Sequence, residues 1–198
     1  NAANSQDFNQ NVLNTEEIFD ISQFNSDTWI ISSQKEKTLI ERLTNEFPAL
    51  KNFINGEAYY GIKTGLTNAF LIDSDTYKII VNQDEKAKEH IFPFLQGRNI
   101  MPYGKAEAVN YLILFEKGWT QQKQIFEKEE DAWNYLKSEY PSIADWLEPF
   151  AEKGRNRTDK GDFWWELRAC DYYAQFAKPK IMYQAFQVKP CFLYDEQG

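Results

Sequence analysis

The residues Tyr111-Leu112-Ile113-Leu114-Phe115 form an unbroken apolar run, which has the length of a buried β-strand and is too short for a typical helix. On its N-terminal side, residues 69–72 and 77–81 are rich in strand-forming residues and predict two short paired strands joined by a turn at 73–76. Residues 180–184 and 191–194 predict two more strands. Short strands that are far apart in the sequence are therefore expected.

One helix is predicted before these strands. Ser33 and Glu36 have the Ser-x-x-Glu spacing of a capping box, and the apolar period that follows predicts a helix at about 34–47, which Pro48 ends. The charged segment at about 84–92 predicts a second helix, with Asn82 or Asp84 as its cap.

The region from 121 to 153 is also helical by pattern, and its apolar stripes are interrupted at Pro141. Two helices in a hairpin-like arrangement are therefore expected there, and the pattern at 164–176 predicts one more helix. Strands and helices that do not alternate regularly are typical of an α+β fold. We expect an α+β domain with a mixed short-strand sheet region and a helical hairpin.

The composition is that of a soluble globular protein, because 42% of the 198 residues are hydrophobic and 26% are charged. No apolar run is long enough to span a membrane and no leader-like segment opens the chain, so we expect a cytoplasmic protein without a membrane partner. The chain begins at Asn1 and stops after a strand-like run. We interpret it as a piece of a longer protein, truncated at its C-terminus.

The scarcity of cysteine and histidine excludes several kinds of site. Cys170 and Cys191 are too far apart for a Cys-x-x-Cys motif, and His90 is the single histidine, so no zinc site is expected. For the same reason Ser-His-Asp and Cys-His catalysis are not expected. We interpret His90 as a helix-surface residue and the cysteines as reduced thiols.

The net charge of −8 argues against an independent nucleic-acid-binding protein. Residues 1–60 carry 4 basic and 9 acidic side chains, whereas residues 149–190 carry 8 basic and 5 acidic ones. The densest basic segment, 154–161, is followed directly by Phe163-Trp164-Trp165. A basic loop beside aromatic rings suits phosphate binding combined with stacking. The alternative is a solvated loop followed by tryptophans that belong to the core.

Other motifs carry less information. The segment Gly61-Ile62-Lys63-Thr64-Gly65 lacks the spacing of a phosphate-binding P-loop. Asp73 and Asp84-Glu85-Lys86 could imitate the acidic residues and lysine of a metal-dependent nuclease, although helix capping explains them more simply. No Asn-Pro-Pro-aromatic run and no glycine-rich strand-to-helix turn is present, so this chain is not expected to catalyse methyl transfer itself.

Five segments, in order, resemble a known family. They are residues 61–73, 91–100, 111–113, 157 with 161–168, and 178–183. Together they cover most of 59–184, and they resemble the TaqI-like C-terminal specificity domain. The resemblance implies a target-recognition domain at 59–198, which follows an N-terminal arm and linker helix at 1–58.

In that family the domain is the DNA-recognition module of adenine-specific DNA methyltransferases and of fused type IIG restriction-modification enzymes. The resemblance implies double-stranded DNA as a partner and a methyltransferase domain of the same parent chain as a neighbour. It implies S-adenosylmethionine as the cofactor of the parent enzyme, with no cofactor, catalytic residue or metal in this fragment.

The expected DNA contacts come from polar and basic residues of these segments and of the basic loop at 154–161. They are Lys63, Thr64, Asn68, Arg98, Arg155, Arg157, Lys160 and Lys180. The alternative function is a protein–protein interaction module of a multi-subunit assembly, which would use the aromatic-rich surface to bind another subunit.

Overall fold

The computed structural model describes residues 33–55, 57–101, 104, 107–186 and 189–198. The chain divides into two units, of which the first ends at Tyr59 and the second begins at Tyr60. The irregular arm expected at residues 1–27 lies outside the described residues. The assignment of 1–58 and 59–198 to separate functional domains stays a prediction.

In the first unit, helix α1 (Gln34–Glu46) begins with the predicted capping box. The Ser33 hydroxyl accepts a hydrogen bond from the Glu36 amide, and the Glu36 carboxylate accepts one from the Ser33 amide at 2.8 Å. These reciprocal bonds satisfy amides that the helix itself leaves unpaired. The predicted helix is therefore confirmed. The short helix α2 (Leu50–Phe53) follows it.

The second unit contains a three-stranded antiparallel sheet. The one-turn helix α3 (Thr67–Phe70) leads into β1 (Leu71–Asp73), and β2 (Ile91–Phe94) and β3 (Asn110–Ile113) complete the sheet. The order is β1-β3-β2, so the apolar run at 111–115 provides the central strand, as predicted. Strand β3 is paired on both sides, and its adjacent residues Leu112 and Ile113, which point to opposite faces of the sheet, are both almost completely buried.

The strand expected at 77–81 is wrong, because these residues belong to helix α4 (Ser74–Gln83). The Asp73 carboxylate accepts a hydrogen bond from the Thr76 amide at 2.8 Å and caps this helix. The segment taken as a turn is thus the first turn of a helix. A 3₁₀ helix, Glu85–His90, follows and is capped by Asp84.

The helical region after the sheet confirms the break at Pro141. Four α-helices lie there: α5 (Trp119–Lys123), α6 (Glu129–Glu139), α7 (Pro141–Leu147) and α8 (Ala151–Asn156). A proline at the first position of α7 costs no hydrogen bond, because that amide would be unpaired in any case. Helices α6 and α7 contact each other and bury Leu136, Ile143 and Leu147.

The helix expected at 164–176 is also wrong. Phe163 to Leu167 form buried irregular structure, and Leu167 donates its amide to the Phe115 carbonyl at 2.8 Å. A 3₁₀ helix covers Tyr173–Ala177. The two adjacent tryptophans, Trp164 and Trp165, both lie in the core, as the interpretation of them as core residues anticipated.

His90 is not a residue of an exposed helix surface. Its ring is half-buried, stacks on Phe115 with centroids 4.2 Å apart, and meets the edges of Trp119 and Tyr140. Its Nδ1 donates to the Leu114 carbonyl at 3.0 Å. Burial lowers the pKa of His90 because the protonated ring loses hydration there.

The predicted C-terminal strands are confirmed as a second antiparallel sheet, formed by β4 (Lys180–Tyr183) and β5 (Phe192–Asp195). Ile181 and Tyr183 share the exposed face of β4, as the strand period predicts. The fold is therefore α+β, with two small antiparallel sheets in the part that the structure describes. No helix among the described residues combines the length and apolarity needed to cross a membrane.

Candidate nucleic-acid interface

An open cleft of about 380 Å³ lies beside the loop at 61–66, which precedes α3. Its lining combines apolar, polar and charged side chains: Ile62, Lys63, Thr64, Gly65, Thr67, Leu71, Phe94, Gln96 and Asp159. A volume of this order is at the small end of the range for ligand sites. Most of the lining residues belong to two of the segments that carry the family resemblance, 61–73 and 91–100. Asp159 lies between the two parts of a third, residue 157 and residues 161–168.

Gly65 lets the loop close against residue 159. Its φ of +64° is left-handed, and a Cβ at this position would lie 2.9 Å from the Asp159 Cβ. A side chain here would be strained in conformation and would collide with its neighbour. Gly65 therefore serves the backbone geometry of the loop.

Arg157 anchors the same loop from inside the protein. It is only 9% exposed, and its guanidinium donates hydrogen bonds to the carbonyls of Thr64, Trp164 and Glu166. The guanidinium carbon also lies 4.4 Å from the centre of the Phe70 ring.

Burial lowers the pKa of Arg157 to about 10, because a guanidinium removed from water is less stable in its charged form. Donors that are committed to internal carbonyls are not available to phosphate. We therefore do not include Arg157 among the proposed DNA contacts, although it was expected there, and assign it to holding the cleft wall.

Glu166 is a second buried charge that sequence reasoning missed. It is completely buried, and its carboxylate accepts hydrogen bonds from the amides of Gly118, Thr120 and Asp162 at 2.8 to 3.0 Å. Its own carbonyl accepts from Arg157. Hydrogen bonds from backbone amides to a carboxylate are strong and offset much of the cost of burying it. The segment therefore bends around Glu166 instead of forming the expected helix.

Of the five expected DNA contacts that are exposed, three have no side-chain partner among the described residues. They are Lys63, Asn68 and Arg98, and none of them makes a side-chain hydrogen bond or ion pair with another described residue. Lys63 lines the cleft, and Arg98 lies two residues after Gln96, which also lines it. The structure thus brings Lys63 and the Arg98 loop to the same cleft. Asn68 lies on α3, next to the cleft residue Thr67.

Thr64 is 8% exposed and lines the cleft. Lys180 is not a free cation, because its ammonium donates to the Asp195 carboxylate at 2.5 Å and to the Phe176 carbonyl at 2.7 Å. That ion pair joins β4 to β5. Lys180 therefore stabilises the second sheet.

Arg155 and Lys160 are exposed and lie beside each other. The Arg155 guanidinium donates to the Glu129 carboxylate at 2.6 Å, and the Lys160 ammonium donates to the Arg155 carbonyl. Lys160 directly follows Asp159, which lines the cleft. These two cations already have partners, so binding a phosphate would require them to exchange one partner for another.

The acidic residues that could imitate a nuclease site have a structural role. Asp73 caps α4 and Asp84 caps the 3₁₀ helix after it, which confirms the capping interpretation. Among the described residues, no three histidine, cysteine or acidic side chains come together as a group that could hold a metal ion.

Comparison of the chain with models of known protein families gives no match, and no curated protein matches it either. The resemblance to the TaqI-like specificity domain therefore stays a prediction that is based on the five segments.

Gln96 and Asp159 are cleft residues that sequence reasoning did not select as site residues. Gln96 is the first residue of a polar segment, 96–99, which interrupts an otherwise apolar stretch between Phe94 and the buried Ile100. That interruption is the sequence signal that could have indicated Gln96. Asp159 had no such signal, because its position depends on the packing of residue 159 against Gly65.

Proposed function

We propose that this chain is the sequence-specific DNA-recognition module of a restriction-modification enzyme, an adenine-specific DNA methyltransferase. The module binds duplex DNA and does not catalyse methyl transfer itself. The methyltransferase domain of the same parent chain supplies the S-adenosylmethionine site and the chemistry. The TaqI-like specificity-domain fold is part of this proposal.

The observation that carries the proposal is the position of Lys63 and Arg98. Both cations are exposed, neither is paired with a described carboxylate, and they lie at or within two residues of the cleft lining. Cations without acidic partners do not have to break an ion pair before they bind phosphate. The other four basic residues expected to contact DNA all donate hydrogen bonds to partners within the described part of the chain.

The rigidity of the cleft also supports the proposal. Arg157 joins the loop at Thr64 to the buried segment at Trp164 and Glu166, so the loop is held in place before a ligand arrives. A site that is preorganised loses less conformational entropy on binding, and base readout requires side chains at fixed positions.

The test is the salt dependence of DNA binding by the 198-residue chain, measured by fluorescence anisotropy with duplexes from about 25 to 200 mM salt. Replacing Lys63 or Arg98 by glutamine should lower affinity for all duplexes. Each substitution should also flatten the slope of log affinity against log salt by about 0.9, the value for one lost phosphate contact.

Lys88→Gln is the matched control, because Lys88 is an exposed lysine that is paired with Glu85 at 3.0 Å. It should leave the salt slope unchanged. The proposal is wrong if the chain shows no saturable binding to duplex DNA at the lowest salt. It is also wrong if Lys63→Gln, Arg98→Gln and Lys88→Gln all give the slope of the unsubstituted chain.

A further inference from the structure

The cleft contains more hydrogen-bond acceptors than a phosphate site would. Asp159 lines it together with Gln96, and Lys63 is the one cation among the lining residues. A carboxylate repels a phosphate that approaches it, whereas it attracts a group that carries N–H donors. The lining therefore favours a neutral ligand with amino donors over a phosphate.

The apolar residues of the lining further restrict the chemical class of ligand that the cleft can bind. Ile62, Leu71 and Phe94 line the same cleft, and Phe94 is a half-buried aromatic ring. A flat ring that has an apolar face and a polar edge satisfies both kinds of lining. Nucleobases have this combination.

Among the cleft residues, Gln96 has a buried polar atom whose hydrogen bonding is incomplete. Its carbonyl oxygen Oε1 is buried and has no donor within hydrogen-bond distance among the described residues. The terminal amide of glutamine rotates over a broad range at low energetic cost. Rotation that turns Oε1 toward the cleft would expose it to a ligand donor, and a buried acceptor without a partner favours that movement.

On the basis of the proposed DNA-recognition function, we propose that the cleft binds the edge of an adenine and that Gln96 is the residue that reads it. The Gln96 Oε1 accepts from the adenine exocyclic amine, while its Nε2 donates to the adjacent ring nitrogen N7. Adenine presents that donor and acceptor side by side, and a glutamine amide matches them in a bidentate pair. Lys63 binds a neighbouring phosphate.

The experiment begins with the 198-residue chain and a pool of random duplexes, from which its preferred sequence is selected. Each adenine of that sequence is then replaced by purine, which lacks the exocyclic amine. At one position the affinity of the unsubstituted chain should fall by about tenfold to a hundredfold.

The same measurement with Gln96→Ala completes the argument. This variant should bind the natural duplex as weakly as the unsubstituted chain binds the purine duplex, and removal of the amine should then have no further effect. Gln96→Glu, whose carboxylate can only accept, should change the preference at that position from adenine to cytosine. This second variant retains the size of glutamine and tests the idea if Gln96→Ala is poorly folded.

Gln184→Ala is the matched control. A Cβ at Gly97 would lie 3.4 Å from the Gln184 side chain, so Gln184 is close to the cleft segment at 96–97 but is not part of the lining, and this variant should keep the full sensitivity to the amine. If Gln96→Ala also keeps it, the assignment of Gln96 is overturned while DNA recognition stands. If the unsubstituted chain selects no sequence, the proposed function and this inference both fail.

A fluorescent base distinguishes two sources of the adenine edge. With 2-aminopurine next to the selected adenine, whose own exocyclic amine is kept, a rise in fluorescence on binding identifies an adenine that leaves the stack and enters the cleft. Unchanged fluorescence identifies an edge that is read within the intact duplex. Both results support the same pairing with Gln96, provided that the purine and Gln96→Ala measurements agree.

Discussion

Replacement of Arg157 by methionine should destabilise the protein strongly, because Arg157 links three parts of the second unit. Its guanidinium donates to the carbonyls of Thr64, Trp164 and Glu166. Methionine retains the apolar contact with Phe70 but provides no donor. The Thr64 and Trp164 carbonyls would lose a charged donor, whereas the Glu166 carbonyl would keep the Gly161 amide.

The expected magnitude follows from two opposing contributions. Three hydrogen bonds from a charged group contribute about 1.5 to 3 kcal/mol each. Against this, burial lowers the pKa of Arg157 from 12.5 to about 10, which corresponds to a cost of about 3 kcal/mol at neutral pH that methionine would not have. A net loss of about 3 kcal/mol results, close to the effect of removing one partner of a buried ion pair.

Urea unfolding followed by tryptophan fluorescence is a suitable assay, because Trp164 and Trp165 lie in the core. A loss of about 3 kcal/mol would also lower the melting temperature by roughly 10 °C in a domain of this size. Arg155→Met is the matched control, since Arg155 forms an exposed ion pair with Glu129 and should contribute less than about 1 kcal/mol. Equal stabilities of the two variants would refute the anchoring role of Arg157.

Three further predictions concern other parts of the second unit. Because burial lowers the pKa of His90 below 6.5, the unfolded chain binds a proton that the folded one does not, so the free energy of unfolding should fall as pH decreases below about 6.5; urea titrations at several pH values should show a weaker dependence in His90→Asn. Gly65→Ala should destabilise by about 1 to 2 kcal/mol because of its positive φ and the contact with Asp159, whereas Gly61→Ala, which meets no atom within 4 Å, should have little effect in the same urea assay. Glu166→Gln should lower the melting temperature measured by circular dichroism, because an amide presents only one acceptor oxygen where the carboxylate presents two; an unchanged melting temperature would contradict this role.

Elements that depend on local signals could be predicted from the sequence. The capping box at Ser33 and Glu36, the central strand β3 and the strands β4 and β5 follow from spacing and alternation within a few residues. Pro141 could be placed at a helix boundary because proline determines its own backbone angle and lacks an amide hydrogen.

The errors occur where one side chain or the tertiary structure decides the local conformation. Residues 77–81 have the composition of a strand, but the Asp73 carboxylate starts a helix directly before them. The segment after Trp164 has a helical apolar period, but the buried Glu166 carboxylate binds amides that are distant in sequence, such as Gly118. The energy of such contacts exceeds the small differences in local propensity.

In the candidate site, too, local sequence signals identify the segment, whereas tertiary contacts decide the environment of each side chain. Basic character identified the segment at 154–161, yet Arg157 and Arg155 have opposite environments although they are two residues apart. The main partner that separates them is the Thr64 carbonyl, 93 residues from Arg157 in the sequence. No local pattern contains that information, so the sequence could indicate the segment but not which of its cations is exposed.

The number of free cations sets how strongly this chain alone can bind DNA. Of the eight expected contacts, Lys63 and Arg98 are the basic side chains that have no described partner, so we expect a salt slope of about −1.8 and roughly a tenfold loss of affinity between about 50 and 200 mM salt. Independent DNA-binding proteins make about 6 to 10 phosphate contacts. A slope near −3.6 would show instead that Arg155 and Lys160 exchange their partners for phosphate. With a slope near −1.8 and a net charge of −8, the methyltransferase domain of the proposed parent enzyme must supply most of the phosphate affinity.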